Sequence, residues 1–187
     1  MRDAVERTLQ AQIPLDVFYG DIDYFVNETN FLIDEDRFGP LPDYVQRKLD
    51  EGLRFVTILD PINPADESNE AFQRGLQKDS AFIRWPAGYI DTNNQSYPHS
   101  TNASQGPYLL GHVWPPAKSV FTDFFHPSGR QWWAEEVELF HNKINFSALW
   151  IDMNGNVSYY FLILFFIPFL HCFIIIVHFT NFYFFEI

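Results

Sequence analysis

The sequence predicts an α/β fold with a parallel sheet. In residues 1–154, helix-like and strand-like segments alternate, which is the order expected when each strand is followed by a helix that crosses back over the sheet. Three of the strand-like segments end on an aspartate. Parallel α/β proteins place functional side chains at the carboxyl ends of their strands. The sequence therefore also indicates where on this fold the function resides.

The first helix and the first strand are predicted at the N-terminus. Apolar residues recur among charged ones with the spacing of a one-sided helix over residues 2–12. Residues 13–19 then form a β-prone run that is closed by Gly20 and followed by Asp21 and Asp23. We expect a helix, a strand and an acidic loop in that order.

The same pattern repeats further along the chain. Residues 41–51 have the apolar spacing of a helix, and Gly52 stands where a helix C-cap is expected. Residues 53–59 are strongly β-prone and stop at Asp60. This predicts a second helix followed by a second strand that also ends on a carboxylate.

A long segment and a third helix precede the third strand. Residues 62–125 contain dispersed Pro, Asn and Ser, so we expect an irregular loop, and a loop of that length is functional or an inserted subdomain. Residues 127–143 predict a helix, and residues 146–151 predict a strand that ends on Asp152. The apolar face of that helix holds Trp132, Trp133, Val137 and Phe140, and Glu135, Glu136 and Glu138 are expected elsewhere. The Trp pair is expected to serve in packing rather than as a platform for a sugar.

Composition excludes some classes of function. The chain has 24 acidic and 12 basic residues and a formal net charge of -12, without the basic stripe that binding to nucleic acid requires. Its one cysteine, Cys172, cannot form a disulfide within the chain.

No signal peptide is expected, because the first ten residues are polar and charged. Triplets of the N-glycosylation pattern that begin at Asn27, Asn94, Asn102 and Asn145 predict a glycoprotein.

Aspartates gathered at the ends of parallel strands suit two chemistries. One is glycoside cleavage, in which one carboxylate attacks the anomeric carbon while a second carboxyl group protonates the leaving oxygen. The other is a divalent metal site made of oxygen ligands. The sequence contains no compact calcium-binding loop, which favours the first chemistry. Nearby aromatic residues such as Trp114 and Trp150 offer apolar faces to a sugar ring.

Four short blocks follow one another along the chain. They are Ile-Pro-Leu-Asp-Val with Gly-Asp-Ile-Asp-Tyr (13–24), Ile-Leu-Asp-Pro (58–61), His-Val-Trp-Pro (112–115) and Trp-Ile-Asp-Met-Asn (150–154). In this order they resemble the signature sequences of glycoside hydrolase family 31, and in particular its α-glucosidases of the lysosomal and intestinal type. The similarity covers about residues 2 to 154. The resemblance implies a (β/α)8 TIM barrel, of which this chain holds the part from the first helix to the fourth strand.

The resemblance also implies roles for individual residues. Asp152 stands where the family has its catalytic nucleophile, and Asp21 stands where the family hydrogen-bonds the hydroxyls of the first sugar. The implied substrate is an α-glucoside oligosaccharide, and no cofactor or metal is implied. For Asp23 and Asp60 the resemblance implies no definite role, and a structural role is the alternative to a functional one. The walls of the sugar pocket are expected to be Ile22, Ile58, Trp114, Trp150 and Met153.

The sequence departs from the family pattern in two places. After Asn154 the family continues with Glu-Pro-Ser, whereas residues 155–158 read Gly-Asn-Val-Ser, and Pro116 stands where the family commonly has Gly. The family's acid/base aspartate and the Arg and His that hold the same sugar lie beyond the fourth strand, and no counterpart is identified here. We therefore expect residues 1–154 to be a partial catalytic barrel that is inactive alone, and residues 155–187 to be a separate tail.

The tail is almost wholly apolar over residues 159–179, which is long enough to span a bilayer. This predicts a transmembrane helix or other membrane contact, although the basic flank typical of such helices is absent. Its Phe, Ile, Leu, Tyr and Asn content also fits translated intron sequence. The alternative function is accordingly a non-catalytic, membrane-attached carbohydrate-binding remnant. The family implies the secretory pathway, either the lysosome or the cell surface.

Overall fold

The computed structural model describes residues 1–88, 96–97 and 106–153. The predictions for the tail, including the apolar run 159–179, lie outside these residues. The chain divides into two compact units. We call Met1–Asp21, Pro40–Asp60 and the described residues from Ile144 onward the sheet unit, and Ile22–Gly39 with the described residues of Pro61–Lys143 the aromatic unit.

The described residues form helices and strands in the following order. They are α1 (Arg2–Gln10), β1 (Val17–Gly20), α2 (Glu35–Phe38), α3 (Leu41–Asp50), β2 (Arg54–Leu59), β3 (Ile62–Pro64), α4 (Glu70–Leu76), β4 (Ser96–Tyr97), β5 (Tyr108–Leu109), β6 (Ser119–Phe121), α5 (Pro127–His141) and β7 (Ala148–Ile151). Two short 3-10 turns, Ile22–Tyr24 and Val26–Glu28, follow β1. None of the helices in the described ranges combines the length and apolar character that crossing a membrane requires.

The sheet unit contains a parallel sheet with the strand order β1-β2-β7. The three predicted strands and their parallel arrangement are therefore confirmed. In the described residues the sheet is open and does not close into a barrel. β1 begins at Val17 and not at residue 13 as predicted, because Pro14 has no N–H for a strand ladder and Ile13 is 56% exposed.

Helices cover one face of this sheet. On that face the ring of Phe18 lies 5.0 Å from that of Phe55 and 6.2 Å from that of Tyr44 on α3. The Tyr44 hydroxyl donates to Glu6 of α1 at 3.0 Å, and the Lys48 ammonium lies 2.9 Å from the same carboxylate. These contacts fix α1 to α3 and α3 to the sheet.

The end of α3 matches its prediction. Gly52 has a φ of 98°, in the left-handed region that favours glycine. Its N–H donates to the Leu49 carbonyl at 3.0 Å, and the N–H of Leu53 donates to the Lys48 carbonyl at 2.9 Å. This pair of bonds is a Schellman motif, which ends the helix and turns the chain into β2.

The aromatic unit contains more regular structure than the sequence predicts. β3 pairs antiparallel with β6, and β4 pairs antiparallel with β5. Asn69 caps α4, since its side chain accepts from the Phe72 N–H at 2.9 Å. The elements are short and their partners lie far apart in sequence, so periodicity alone does not reveal them.

The helix α5 supplies the centre of the aromatic unit. Trp132 is fully buried, its indole N–H donates to the Ala71 carbonyl at 2.9 Å, and its ring lies 4.8 Å from that of Phe82. The prediction that the Trp pair serves in packing agrees with these contacts. Glu136 was expected away from the apolar face, and this expectation is wrong: Glu136 is 1% exposed because it forms an ion pair with Arg74.

Candidate functional site

Three aspartates follow the three parallel strands, all at the carboxyl edge of the sheet. Asp21 comes after β1, Asp60 after β2 and Asp152 after β7. Because the strands are parallel, their carboxyl ends meet at one edge, as the sequence predicts. Neighbouring strands in a sheet lie about 4.8 Å apart, so the three residues belong to one small region.

The register of the strands fixes which residues stand side by side. Gly20 of β1 pairs with Thr57 of β2, so the next residue of each strand also stands side by side, and Asp21 lies beside Ile58. Ile58 in turn pairs with Trp150 of β7. Side chains alternate between faces along a strand, and therefore Asp21, Ile58 and Trp150 share a face. Leu59 pairs with Ile151, so Asp60 and Asp152 continue the same face one step nearer the edge.

Asp152 is exposed and oriented by its own backbone. Its Oδ1 accepts a hydrogen bond from the Met153 N–H at 2.7 Å. Met153 has a φ of 57°, an unusual value for a residue with a side chain. Such backbone strain is concentrated at functional sites in proteins. The strand thus ends in a sharp turn that presents an ionisable carboxylate.

The other two aspartates differ in exposure. Asp21 is exposed at the end of β1, whereas Asp60 is only 1% exposed at the end of β2. A buried carboxyl group between two strands is typical of a structural position. The carboxylates accessible to a ligand at this edge of the sheet unit are therefore Asp21 and Asp152.

Apolar and aromatic side chains lie on the same face as the exposed aspartates. On this face Ile58 is buried and Trp150 is half-buried. Met153, the residue after Asp152, is also half-buried. The ring of Tyr19 meets that of Trp150 edge to face at a centroid distance of 6.4 Å, and Tyr19 is 54% exposed. Tyr19 is not among the site residues predicted from the sequence. The signal was its position two residues before Asp21 in the same strand, which puts both on one face.

Ile22 and Trp114, the other predicted pocket residues, belong to the aromatic unit. Ile22 is half-buried and opens the 3-10 turn after β1. Trp114 is 47% exposed on a loop that is closed by reciprocal backbone hydrogen bonds between Gly111 and Ser119 at 3.0 and 2.8 Å. The structure thus brings together Asp21, Ile58, Trp150, Asp152 and Met153 within the sheet unit.

Asp23 is held through its backbone. The Arg37 guanidinium donates to the Asp23 carbonyl at 3.0 Å and to the Asp34 carboxylate at 2.6 Å. The hydrogen bond from the Arg37 guanidinium to Asp34, together with one from the Arg37 backbone N–H, holds the pKa of the Asp34 carboxyl below its usual value. These groups line a cavity of about 550 Å³ in the aromatic unit. Across the described ranges, no group of three or more His, Cys, Asp or Glu side chains is arranged to hold a metal ion.

Comparison with known proteins connects this geometry to a family. Residues 1–162 match the glycosyl hydrolases family 31 TIM-barrel domain. The chain is 36% identical over 171 residues to the intestinal sucrase-isomaltase of Suncus murinus, which covers 85% of the chain and 9% of that protein. It is 32% identical over 157 residues to the lysosomal alpha-glucosidase of Bos taurus, covering 82% of the chain and 14% of that protein.

Solved structures agree on the fold. A chain from the structure of the ER glucosidase II complex, which holds the catalytic subunit and the binding domain of the regulatory subunit, superposes with a TM-score of 0.63 at 22% identity. The match covers 82% of this chain and 15% of that chain. A family 31 alpha-glucosidase from Bacteroides thetaiotaomicron superposes with a TM-score of 0.54 at 22% identity, over 80% of this chain and 22% of that one. The chain therefore spans only a small part of the length of the proteins that it matches.

Proposed function

Because the chain belongs to glycosyl hydrolase family 31, we propose that it is part of a retaining α-glucosidase that removes terminal α-linked glucose from oligosaccharides. The observation that carries the proposal is the exposed Asp152 carboxylate at the carboxyl edge of a parallel sheet, in the sequence Trp-Ile-Asp-Met-Asn. The names of the relatives, sucrase-isomaltase and lysosomal alpha-glucosidase, support this substrate class. They also support passage through the secretory pathway.

In the proposed mechanism Asp152 acts as the nucleophile. Its Oδ1 is held by the Met153 N–H, so Oδ2 is the oxygen that attacks the anomeric carbon. A bond forms between this oxygen and the anomeric carbon while the bond from that carbon to the leaving oxygen breaks. A carboxylic acid must supply a proton to the leaving oxygen. Water then attacks the same carbon and gives a proton to the group that protonated the leaving oxygen, while the bond from the carbon to Oδ2 breaks. This releases glucose with retained configuration and regenerates both the Asp152 carboxylate and the acid.

The neighbouring side chains are proposed to bind the sugar in the first subsite. Asp21 shares a sheet face with Trp150, and its carboxylate can accept hydrogen bonds from sugar hydroxyls. Ile58, Trp150 and Met153 offer apolar surface to the C–H groups of the ring. The resemblance implies the same role for Ile22 and Trp114 of the aromatic unit. We add Tyr19 to the wall, because its ring packs against that of Trp150.

We propose that the 187-residue polypeptide alone does not turn over an α-glucoside. The family pattern places the acid/base aspartate after the strand that carries Asp152, and the residues after Asn154 do not follow that pattern. A nucleophile without an acid cannot expel a poor leaving group such as a sugar alkoxide. It can still expel fluoride, which needs no proton.

A fluorinated α-glucosyl fluoride tests the proposal for this reason. Incubation of the purified chain with the reagent is expected to give one covalent glucosyl adduct, which peptide mass spectrometry assigns to Asp152. Asp152→Asn is expected to abolish the adduct. Asp16→Asn, at an exposed carboxylate that precedes β1, is the matched control and is expected to label normally.

Three results would contradict the proposal. An adduct on another carboxylate would refute Asp152 as the nucleophile. Absence of an adduct, on a chain whose circular dichroism shows that it is folded, would refute a preformed site. Hydrolysis of maltose by the wild-type chain, lost in Asp152→Asn, would refute the requirement for an acid from outside. Asp21→Asn is expected to slow labelling without moving it, because Asp21 binds the sugar and forms no covalent bond.

A further inference from the structure

A buried arginine in the aromatic unit has hydrogen-bond donors without acceptors. Arg84 lies on a short extended segment that is fixed on both sides by the backbone. The Leu109 N–H donates to the Ile83 carbonyl at 2.9 Å, and the Trp85 N–H donates to the Pro107 carbonyl at 2.8 Å. Arg84 itself pairs antiparallel with Tyr108. Its side chain is 9% exposed, so a permanent positive charge is held away from water.

The groups around this guanidinium satisfy only part of it. Its central carbon lies 4.5 Å from the centroid of the Tyr108 ring, and its Nη2 donates to the Tyr108 hydroxyl at 2.9 Å. The Asp79 carboxylate lies 3.7 Å from Nη2, which is beyond hydrogen-bond distance, and its side chain is 59% exposed. The Nε and Nη1 atoms of Arg84 are buried and have no hydrogen-bond partner.

Arg74 of the same unit shows how a satisfied arginine looks. Its Nε donates to one oxygen of Glu136 at 2.7 Å and its Nη2 donates to the other at 2.8 Å. This is the two-pronged arrangement that a guanidinium and an oxyanion prefer. Arg84 has the same donors and greater burial but no carboxylate in that position. A buried guanidinium with idle donors is costly unless an acceptor arrives from outside.

We propose that Arg84 is the binding residue of a site for a small oxyanion of the phosphate class, either free or carried on a sugar. Tyr108 contacts the guanidinium through the face of its ring, and its hydroxyl accepts a hydrogen bond from Nη2. Nη2 carries two N–H groups and uses one of them for Tyr108. Its other N–H and the neighbouring Nε–H form one edge of the guanidinium, the same edge that Arg74 uses, and donate to two oxygens of the ligand. Asp79 stands near Nη2 and weakens binding by repulsion between like charges. This site does not depend on the proposed glucosidase function.

The test measures thermal unfolding and calorimetric binding of the full 187-residue chain with inorganic phosphate. Phosphate is expected to raise the melting temperature progressively, because it binds the folded state only. Sodium chloride at matched ionic strength separates this effect from screening. Arg84→Lys is expected to weaken phosphate binding about tenfold or more, since charge-assisted hydrogen bonds are lost. Arg130→Lys is the matched control, because Arg130 is exposed and its guanidinium donates to the backbone carbonyls of Phe124 and Phe125.

A second variant keeps the proposal falsifiable if Arg84→Lys does not fold. Asp79→Asn changes an exposed side chain and is expected to tighten phosphate binding about threefold, because the opposing charge is removed. Equal binding by wild type, Arg84→Lys and Asp79→Asn would overturn the proposal, and so would the absence of any phosphate effect beyond that of chloride.

Two sugar probes distinguish the sources of the anion. Tighter binding of glucose 6-phosphate than of phosphate, with the effect of glucose itself subtracted, would support a phosphate carried on a sugar. Equal binding of the two would support a free anion. In either case the gain must be lost in Arg84→Lys, and a gain retained in that variant would overturn the assignment to Arg84. Covalent labelling of Asp152 is expected to be unchanged in Arg84→Lys, so failure of one proposal is distinguishable from failure of the other.

Discussion

The two units of the chain are held together in different ways. In the sheet unit, backbone ladders join three parallel strands and a helix packs on one face through Phe18, Phe55 and Tyr44. In the described residues of the aromatic unit the strands form short antiparallel pairs, and aromatic rings pack around Trp132, near the buried ion pair of Glu136. Stability is therefore spread along the backbone in the sheet unit and concentrated on a few side chains in the aromatic unit. Single substitutions should cost more in the second.

The largest effect is expected for Trp132→Ala. Trp132 is fully buried against Phe31 and Phe82, and its indole N–H bonds the Ala71 carbonyl. We expect the free energy of unfolding to fall by about 5 kcal/mol, the upper end of the range for buried aromatic residues. Phe55→Ala in the sheet unit is expected to cost about 3 kcal/mol, because the backbone ladder on both sides of β2 remains.

Urea unfolding followed by circular dichroism measures both variants. Leu139→Ala is the control on the same helix, since Leu139 is 45% exposed, and it should change stability by less than about 0.5 kcal/mol. If Phe55→Ala costs as much as Trp132→Ala, the difference between the two units does not hold.

The next effect is expected from the buried ion pair. Glu136→Gln removes the buried carboxylate that Arg74 contacts and leaves the guanidinium with the exposed Glu70 carboxylate at 3.4 Å. We expect a loss of about 2 kcal/mol, because Glu70 remains and water offsets part of the penalty at Arg74, which is 40% exposed. Glu135→Gln breaks a similar pair with Lys78 at 2.9 Å on the more exposed side of α5, and should cost less than about 1 kcal/mol.

A double variant shows whether the ion pair itself stabilises the fold or whether the single variant is destabilised because it leaves a charge unpaired. Arg74→Met with Glu136→Leu replaces both charges by apolar groups and is expected to recover most of the stability lost in Glu136→Gln. A double variant as unstable as the single one would show that the pair contributes more than the avoidance of an unpaired charge. Chemical denaturation of the wild type, Glu136→Gln, Glu135→Gln and the double variant at one pH decides between these outcomes.

The contrast also explains which parts of the structure the sequence could predict. The strands β1, β2 and β7 were predictable because apolar runs, turn residues and terminal aspartates are local signals. Burial of Glu136 was not, because it depends on Arg74, sixty-two residues away in the chain. The short pairs β3 with β6 and β4 with β5 likewise require partners distant in sequence. Local patterns identify elements that stabilise themselves and miss those that depend on distant contacts.

The candidate site divides along the same line. The family suggested by the four sequence blocks is confirmed by the match over residues 1–162. The aspartates at the sheet edge follow from strand ends, and the strand register places Ile58 beside Trp150. The register, the strained turn at Met153 and the contact between Tyr19 and Trp150 depend on the three-dimensional arrangement of the strands and do not follow from local sequence. The role of Asp152 as nucleophile stays a prediction until the labelling experiment is done.

A smaller effect is expected at the turn between α3 and β2. Gly52 has a φ of 98°, and an alanine there would bring its Cβ close to the following carbonyl. Gly52→Ala is expected to cost about 1 kcal/mol, although no neighbouring atom lies within 4 Å of the added carbon. Gly52→Asn should cost less, because asparagine tolerates the left-handed conformation better. An unchanged urea midpoint in Gly52→Ala would show that the sheet unit absorbs this strain elsewhere.

The smallest effect is a dependence of the sheet unit on alkaline pH. Hydrogen bonds to Glu51 and Glu6 raise the pKa of the Lys48 ammonium to about 12, and burial together with the Glu6 hydrogen bond raises the pKa of the Tyr44 hydroxyl to about 12. Both groups hold their protons more tightly in the folded state. Their contribution is therefore complete below the ordinary values of 10.0 and 10.5, and is lost as the pH rises towards about 12. Because Glu6 and Glu51 are partly exposed, we expect a total loss of less than about 1 kcal/mol. Urea midpoints across this range should fall more steeply for the wild type than for Tyr44→Phe with Lys48→Met, which removes both titrations, and parallel slopes would contradict the assignment.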